Sequence, residues 1–559
     1  MVLQKNPSEK YTIGIDYGSL SARGVLMRVS DGAAVASCVY EYPHAVLTEA
    51  LPCGRAFPSD WALQVPADYK NALGFLIPEL IKESGIEPGQ VTGLGLVAPS
   101  TTMLPTTADG LPLCELPRYA SEPHAYIKMW KHHGAARQAE RIQRLAEEEK
   151  APWLSQFGGY ISAEHYLPKA AQIADEAPEL FESCGRLIEV GDWLVWQLTG
   201  QDCRGYCASA FKTYYSLEKG DVDAAFLEKV SAPLAKLGEK LPERVVMVGD
   251  RAGRLSAGGA RLTGLLEGTP VSAAAVDAHV TAIGSKTTEA GAVLLIIGTS
   301  TCVIMQGSEY REVRGLNGVV PDGITSGMNA YEGGQAAVGD LFAWFCKNMV
   351  PQSYFEKAAE RGMDIQQYLT LLAAEKRPGE SGLVALDWVN GVRSVLMDFE
   401  LSALICGMTL ETKPEDIYRA LIEATAFGAW KIVKAIMDAG VRVEKIYASG
   451  GIPLKNKLLM QIYADVFNMD IHVIEEPYSA SLGSAILGLA ASEEGGGFEN
   501  VAALCEGYRR KAGLKYSPNP ENVPIYRELY DIYSRLYEAY GRENDLMKRL
   551  RSLNKRGVL

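Results

Sequence analysis

The sequence lacks the features that mark several large classes of protein. No run of about 18 uninterrupted apolar residues occurs, so no membrane-spanning helix is predicted. The polar residues 1–10 lack the apolar core of a secretory signal. The 55 basic residues are outnumbered by 68 acidic ones, and the net charge of −13 argues against nucleic-acid binding, which requires a basic face. We therefore expect neither a membrane nor a nucleic acid among its partners.

The cysteines show no spacing typical of a metal site. Ten are scattered over 559 residues, and only Cys203 and Cys207 lie close together. No second pair and no histidine spacing completes a zinc site. Reduced thiols are therefore expected, and they predict a cytoplasmic protein.

Two common nucleotide-binding motifs are absent or incomplete. The segment Gly284–Thr287 (GSKT) resembles the end of a P-loop but lacks the upstream glycine. Gly93-Leu94-Gly95 begins a G-x-G-x-x-A string, yet Pro99 follows where the helix of a dinucleotide-binding fold would have to start. We therefore expect neither a P-loop nor a Rossmann nucleotide site.

The sequence does contain two similar halves. A chain of 559 residues is too long for one core, so two domains are expected. An apolar strand, a turn of Gly, Ser and Thr, and a second strand occur within residues 11–29 and again within 291–305. The segment between the halves is polar and interrupted by glycine, as domain connections often are. We place the boundary there, giving domains 1–285 and 286–559.

The first turn carries residues suited to binding phosphate. Asp16 ends the first strand, and Gly18, Ser19 and Ser21 follow it. The N–H and hydroxyl groups of such a hairpin can surround a phosphate, and an acid beside it can hold Mg²⁺ through water. From these residues alone, an ordinary hairpin with a surface aspartate is an equal alternative.

Three further segments fit the same chemistry. The turn Gly298–Ser300 matches the first one, so two hairpins would hold a nucleotide tail from both sides. Gly450 and Gly451 follow a short strand and would allow close approach of an adenine ring. Asp277 ends a buried strand beside the domain boundary, a suitable place for a general base. The alternative for Asp277 is an N-cap of the following helix.

Taken in order, these segments resemble the FGGY family of carbohydrate kinases, within the actin-like ATPase superfamily. The resemblance runs from about Tyr11 to Leu553. Several blocks are most similar to the family members that phosphorylate L-ribulose, namely Gly14–Ser19, Thr102–Pro105, Trp130–His133, Gly191–Trp193, Val276–His279, Gly298–Cys302 and Ser449–Pro453.

The resemblance implies a fold, a reaction and ligands. The fold is α/β, with two actin-like (ribonuclease H-like) domains and ATP in a cleft between them. The reaction is transfer of the γ-phosphoryl group of ATP, with Mg²⁺, to L-ribulose in arabinose catabolism. Sugar and ATP are therefore the expected partners, and a homodimer is left as an open alternative for the oligomeric state.

The resemblance also implies roles for single residues. Asp277 falls on the catalytic base and Asp16 on the metal-binding acid. The positions that fall on the sugar site are Ala98, Lys212 and Glu332. The positions that fall on the nucleotide site are Gly18, Ser19, Ser21, Gly298, Thr299, Ser300, Gly450, Gly451 and Asn456.

One segment departs from the family pattern. The L-ribulose kinases usually carry Asp-Phe-Thr where this sequence has Val97-Ala98-Pro99. An acid lost near the sugar predicts weaker discrimination among ketopentoses, because polar sites reject mismatched hydroxyls better than apolar walls do. Alternatively, Val97 is a buried residue whose counterpart only supports the site. The rival functions are a kinase for another pentulose or polyol (D-ribulose, xylulose, ribitol) and a non-catalytic actin-like sugar sensor, against which Asp277 argues.

Overall fold

The computed structural model describes residues 8–508 and 513–556, and within them the chain forms two compact units. Unit 1 contains residues 8–288, 320–330 and 478–508, and unit 2 contains residues 289–319, 331–477 and 513–556. The sequence-based boundary at 285 divides the chain into two consecutive blocks, whereas two segments of the later block pack with unit 1. None of the helices in the described ranges combines the length and apolar character needed to cross a bilayer.

Up to residue 288, short strands alternate with helices. The strands are β1 (Tyr11–Tyr17), β2 (Ser21–Arg28), β3 (Ala34–Glu41), β4 (Leu63–Gln64), β5 (Val91–Ala98), β6 (Met103–Thr106), β7 (Ile127–Lys128), β8 (Arg186–Glu189), β9 (Arg204–Gly205), β10 (Val245–Val246), β11 (Arg251–Arg254), β12 (Pro270–Ser272) and β13 (Ala275–Val276). The α-helices are α1 (Pro66–Ser84), α2 (Ala136–Glu148), α3 (Tyr166–Glu176), α4 (Pro178–Ser183), α5 (Val190–Thr199), α6 (Tyr206–Lys212), α7 (Ala224–Val230), α8 (Ala257–Thr263) and α9 (Asp277–Gly284).

After residue 288, the helices are longer. The strands are β14 (Ala292–Ile297), β15 (Thr301–Gly307), β16 (Gly318–Pro321), β17 (Asn329–Gln335), β18 (Val384–Leu386), β19 (Leu404–Cys406), β20 (Lys445–Ser449), β21 (Ile471–Val473) and β22 (Lys515–Tyr516). The α-helices are α10 (Gly339–Met349), α11 (Gln352–Glu360), α12 (Ile365–Ala374), α13 (Pro414–Asp438), α14 (Gly451–Lys455), α15 (Lys457–Phe467), α16 (Ser479–Ala490), α17 (Val501–Gly507), α18 (Val523–Glu538) and α19 (Leu546–Arg556).

A seven-stranded sheet forms the centre of unit 1, in the order β11-β12-β5-β1-β2-β3, with β13 paired to β5. Strand β1 is antiparallel to β2 and parallel to β5, so Asp16 lies beside Val97. Strand β13 is also parallel to β5 and places Val276 opposite Ala98. The C-terminal ends of β1, β5 and β13 therefore share one edge, where ligands commonly bind in α/β sheets.

Glycines on β1 and β5 allow a helix from much later in the chain to pack directly on this sheet. A Cβ on Gly14 would lie 1.9 Å from the Ser481 carbonyl oxygen of α16, and a Cβ on Gly95 would lie 1.8 Å from that of Ser484. No side chain fits into such contacts. The close packing of α16 explains the G-x-G string at 93–95 and puts residues 478–508 in unit 1.

A smaller sheet of unit 1, in the order β4-β7-β6-β8, supports the segment that follows β5. Met103 on β6 pairs with Glu189 on β8 and with Lys128 on β7. This sheet has its own apolar core, which includes Phe157, Leu187 and the helices around them. Residues 99–102 connect this sheet to the central one, whose apolar core also includes Leu104, Ile127 and Ile188 of the smaller sheet.

The central sheet of unit 2 repeats the plan of unit 1. Its order is β16-β17-β15-β14-β20-β21-β22. Strand β14 forms an antiparallel hairpin with β15 and runs parallel to β20, as β1 does with β2 and β5. The prediction of an α/β fold with two halves on a common plan is therefore confirmed.

Candidate active site

Three hydrogen bonds fix the conformation of the first hairpin turn. The Gly18 N–H donates to the Ser21 carbonyl at 2.8 Å and closes the turn. The indole N–H of Trp130 donates to Ser19 Oγ at 3.1 Å, and the Gln64 amide donates to the Ser19 carbonyl at 2.9 Å. Gly18 and Ser19 are half-buried and Ser21 is buried. The turn is thus preorganised, as a phosphate-binding hairpin has to be.

Asp16 ends β1 at the base of this turn and is buried. Burial, together with the negative charge of Asp277, raises the pKa of its carboxyl to about 7. Arg23, its register partner on β2, opposes this shift, with the guanidinium 3.6 Å from Asp16 Oδ2. Two carboxylates that repel each other at the edge of a sheet form a suitable environment for a cation.

Asp277 is the first residue of α9, and Val276 rather than Asp277 is the N-cap. The alternative drawn from the sequence, a capping role for Asp277, is therefore wrong. Its side chain is half-buried, and the Ala278 N–H donates to its Oδ1 at 2.7 Å. The N-terminus of a helix favours a negative charge, so the geometry holds this carboxylate in place beside Asp16.

Val97 and Ala98 lie between these two acids and face opposite sides of the sheet. Val97 is two residues after Gly95 on β5, so both face the same side of the sheet, which α16 covers. The side chain of Val97 is fully buried there. Ala98 points to α5, where a Cβ on Gly191 would come within 3.5 Å of the Ala98 Cβ. An acid in place of Val97 would therefore lie beside Asp16. This placement favours the alternative in which the family's acid is buried and only supports the site.

Lys212 is the last residue of α6, and side chains of α6 contact His279 of α9. The His279 imidazole of α9 stacks on Phe211 with ring centroids 4.0 Å apart. The same imidazole lies with Nδ1 3.3 Å from Cys207 Sγ. These contacts join the helix that carries Lys212 to the helix that begins with Asp277. Lys212 is itself buried.

The second hairpin turn, in unit 2, is tied to the start of α10. The Gly298 N–H donates to the Ser300 carbonyl at 2.9 Å. The Val338 N–H donates to the Thr299 carbonyl at 2.8 Å, and the Gly339 N–H to the Gly298 carbonyl at 3.0 Å. Thr299 is exposed, and a Cβ on Gly298 would meet no atom within 4 Å. Open space therefore adjoins this turn, as a ligand requires.

Gly450 and Gly451 lie at the same edge as this turn, because β14 and β20 are parallel neighbours with Ile296 opposite Ser449. Gly450 has a φ of 111°, and a Cβ there would lie 2.3 Å from the Ile297 carbonyl oxygen. Only glycine fits this conformation and this close approach. A Cβ on Gly451 would meet open space instead.

The other two predicted residues of unit 2 lie within β17 and at the start of α15. Glu332 is within β17, is buried and accepts a 3.3 Å hydrogen bond from the Asn317 amide. Asn456 is the N-cap of α15, where its Oδ1 accepts from the Leu459 N–H at 3.0 Å. Its Nδ2 lies 3.4 Å from Thr370 Oγ1. Asn456 therefore has a structural role that the sequence did not indicate.

Family models match the sequence in both units. Residues 11–284 match the N-terminal domain of the FGGY family of carbohydrate kinases, and residues 293–492 match the C-terminal domain. The chain belongs to the FGGY family of carbohydrate kinases.

Relatives and solved structures agree with the family. A ribulokinase of Bacillus licheniformis is 43% identical over 537 residues, which cover 96% of this chain and 97% of that protein. A ribulokinase of Mycolicibacterium smegmatis is 44% identical over 545 residues, covering 97% and 96%. In fold, the chain is similar to a xylulose kinase from Rhodospirillum rubrum, with a TM-score of 0.76 at 23% identity, covering 95% of this chain and 99% of that one.

As an FGGY kinase, the chain is an enzyme that uses ATP, and its donor groups suit ATP and a metal ion. Each unit presents one hairpin turn of Gly and hydroxyl residues at the end of parallel strands. The described residues contain no cluster of three His, Cys, Asp or Glu side chains that could hold a metal ion alone. One or two carboxylates together with phosphate oxygens are a usual ligand set for Mg²⁺, and Asp16 fits it as the carboxylate.

Two residues at the site of this FGGY kinase were not predicted as functional. Trp130 entered only through the resemblance of the block 130–133, whereas its indole N–H donates to Ser19 Oγ in the turn itself. Arg23 had not been singled out, although it pairs with Asp16. The signal that could have revealed it is its place on β2, two residues after Ser21, because strand alternation puts both on one face.

Proposed function

We propose that this kinase phosphorylates L-ribulose to L-ribulose 5-phosphate with MgATP, as a step of pentose (arabinose) catabolism. The observation that carries the proposal is the placement of Asp277 beside Asp16 at the edge of the sheet. Relatives named ribulokinase, at 43% and 44% identity over nearly the whole chain, support the choice of sugar.

In the proposed mechanism, Asp277 is the general base. Its carboxylate takes the proton of the terminal sugar hydroxyl while that oxygen forms a bond to the γ-phosphorus. The bond between the γ-phosphorus and the β,γ-bridging oxygen breaks, and ADP leaves with that electron pair. General bases of this kind contribute about 10²–10⁴-fold to the rate. The first turn of α9 holds Asp277 in place for this step.

The remaining residues bind and position the reactants. Bound Mg²⁺ would neutralise phosphate charge and stabilise the loose transition state of phosphoryl transfer. Asp16 would hold this ion, and Arg23 would favour the ionised form of the Asp16 carboxyl against the effect of burial. The N–H and hydroxyl groups of the turns 18–21 and 298–300 would bind the phosphates, with Gly450, Gly451 and Asn456 toward the adenosine. Lys212, Glu332 and Ala98 would contact the sugar.

A second candidate is a kinase of broader specificity toward ketopentoses or polyols. The observation that favours it is Val97, which is apolar and buried where the resemblance leads us to expect an acid. Val97 faces α16 rather than the sugar, so the missing acid would act through Asp16, its neighbour on β1, on how strictly the site rejects a mismatched hydroxyl.

A substrate panel tests both candidates. The rate of ADP formation from MgATP would be measured with L-ribulose, D-ribulose, L-xylulose, D-xylulose and ribitol. The proposal expects L-ribulose to have the highest kcat/KM. A different preferred sugar would contradict the choice of L-ribulose, and comparable kcat/KM values across the panel would support the second candidate.

A further inference from the structure

The loop after β5 is held by a buried acid that the proposed mechanism does not use. Glu189 ends β8 and is the N-cap of α5. Its Oε1 accepts a hydrogen bond from Ser100 Oγ at 2.9 Å, and its Oε2 accepts one from the Thr102 N–H at 2.8 Å. Both carboxylate oxygens of Glu189 therefore bind a loop that begins next to Ala98.

A buried lysine holds the same loop from the other side. Lys169 Nζ donates to the Thr101 carbonyl at 2.8 Å and to the Met129 carbonyl at 2.9 Å. The Thr101 carbonyl and the Thr102 N–H belong to one peptide group, so Lys169 and Glu189 bind its two ends. Charge-assisted hydrogen bonds of this kind are about twice as strong as neutral ones. The position of the loop is thus fixed by two opposite charges.

The next residues of α5 contact two more parts of the candidate sugar site. A Cβ on Gly191 would lie 3.1 Å from the Ala274 Cβ and 3.5 Å from the Ala98 Cβ, so α5 packs closely on the ends of the strands. Asp192 Oδ1 accepts from the Gly205 N–H at 2.8 Å, and Gly205 is the N-cap of α6. Helix α6 ends at Lys212.

The charge of Glu189 also acts on the lysines around it. Burial raises the pKa of its carboxyl, while the ammonium groups of Lys169 and Lys212 lower it. Both lysines therefore lie within the field of this carboxylate. With Glu189 neutralised, Lys169 and Lys212 would lose the attraction of this carboxylate, and the cost of an uncompensated buried charge is high.

We infer that the segment Glu189–Asp192 positions the sugar-binding side of the active site, with Glu189 setting the loop 99–102 and Asp192 setting α6. None of these side chains needs to touch the sugar; they act through Ala98, the loop and Lys212. The inference rests on the proposed function, which assigns the sugar contacts to these elements. It identifies a role for a block, Gly191–Trp193, that the proposed mechanism leaves unexplained.

Steady-state kinetics of variants distinguish positioning from a purely structural role. Glu189→Gln keeps the size of the side chain and removes its charge, and Asp192→Ala removes the acceptor for Gly205. We expect KM for the sugar to rise about tenfold or more in each, because a hydrogen bond to a charged group is lost or weakened, with KM for MgATP within twofold of wild type. The matched control is Glu176→Gln, which removes a carboxylate on α3 that pairs with His124 and should leave both KM values unchanged.

A double variant keeps the test decisive if Glu189→Gln folds poorly. Lys169→Met with Glu189→Gln removes both charges, so thermal stability should recover relative to the single variant. Positioning predicts that KM for the sugar stays high in this double variant. Recovery of KM together with stability, or an equal rise of KM for sugar and for MgATP, would overturn the inference. The sugar used is whichever of the panel the wild type phosphorylates best, so a failure of L-ribulose itself contradicts only the proposed function.

Discussion

The buried Lys128 should lower the free energy of unfolding at neutral pH, so its replacement should stabilise the fold. Its side chain is fully buried on β7, and its Nζ has no hydrogen-bond partner among the described residues. The Nζ lies 4.0 Å from the ring centroid of Trp61. Burial lowers the pKa of this amine from 10.5 to about 7, an effect opposed by Glu176.

The size of the effect follows from this pKa difference. A fall from 10.5 to about 7 corresponds to about 5 kcal/mol, at about 1.4 kcal/mol for each unit of pKa. The cation–π contact with Trp61 favours the charged amine, so this figure is an upper bound. Lys128→Met, which keeps the length of the side chain, should therefore raise the free energy of unfolding by a few kcal/mol at pH 7. The Tm should rise by several degrees.

The pH dependence gives a sharper test. Between about pH 7 and 10, the unfolded chain keeps a proton on Lys128 that the folded chain has lost, so wild-type stability rises with pH. Scanning calorimetry of wild type and Lys128→Met should show a Tm difference that is largest at pH 7 and shrinks toward pH 9.5. The matched control is Lys131→Met, at an exposed lysine nearby. A variant less stable than wild type at pH 7, or a Tm difference independent of pH, would refute the reasoning.

Three further predictions concern the turns and the sheet edge. Gly298→Val should leave the fold intact, because its Cβ meets open space, and should weaken MgATP binding at least about tenfold by calorimetry if the turn binds phosphate. Unchanged MgATP affinity in Gly298→Val would contradict the proposal that both turns bind phosphate. Gly450→Ala, whose Cβ would collide with the Ile297 carbonyl, should instead lower Tm. Val97→Asp should lower Tm and kcat, because it adds a third carboxylate beside Asp16; a variant as stable as wild type and more selective for L-ribulose would show that Val97 sets specificity.

The local parts of the site could be predicted from the sequence. The hairpin turns are visible because Gly, Ser and Thr separate two apolar strands at 18–21 and at 298–300. The repeat of this unit predicts two halves on one plan, which the sheets share. Such features depend on neighbouring residues, so single-sequence patterns contain them.

The long-range parts could not be predicted from residue patterns. Asp16 and Asp277 come together only because β5 lies between β1 and β13, a pairing that no local pattern encodes. The sequence excluded a nucleotide motif at the glycine string 93–95 but gave no reason for its glycines, which make room for α16 from the far end of the chain. Glu189 was missed for the same reason, since its partners Ser100 and Thr102 lie on a distant segment.

The measurement that tests the central claim most directly is phosphoryl transfer by Asp277→Asn. Asparagine keeps the size of the side chain and can still accept from the Ala278 N–H, but it cannot take a proton. Calorimetry should show MgATP affinity within about twofold of wild type, while the rate of L-ribulose phosphorylation falls at least about a hundredfold. Mass spectrometry would verify that no asparagine has reverted to aspartate. Turnover close to wild type in the pure variant would contradict the assignment of Asp277 as the general base.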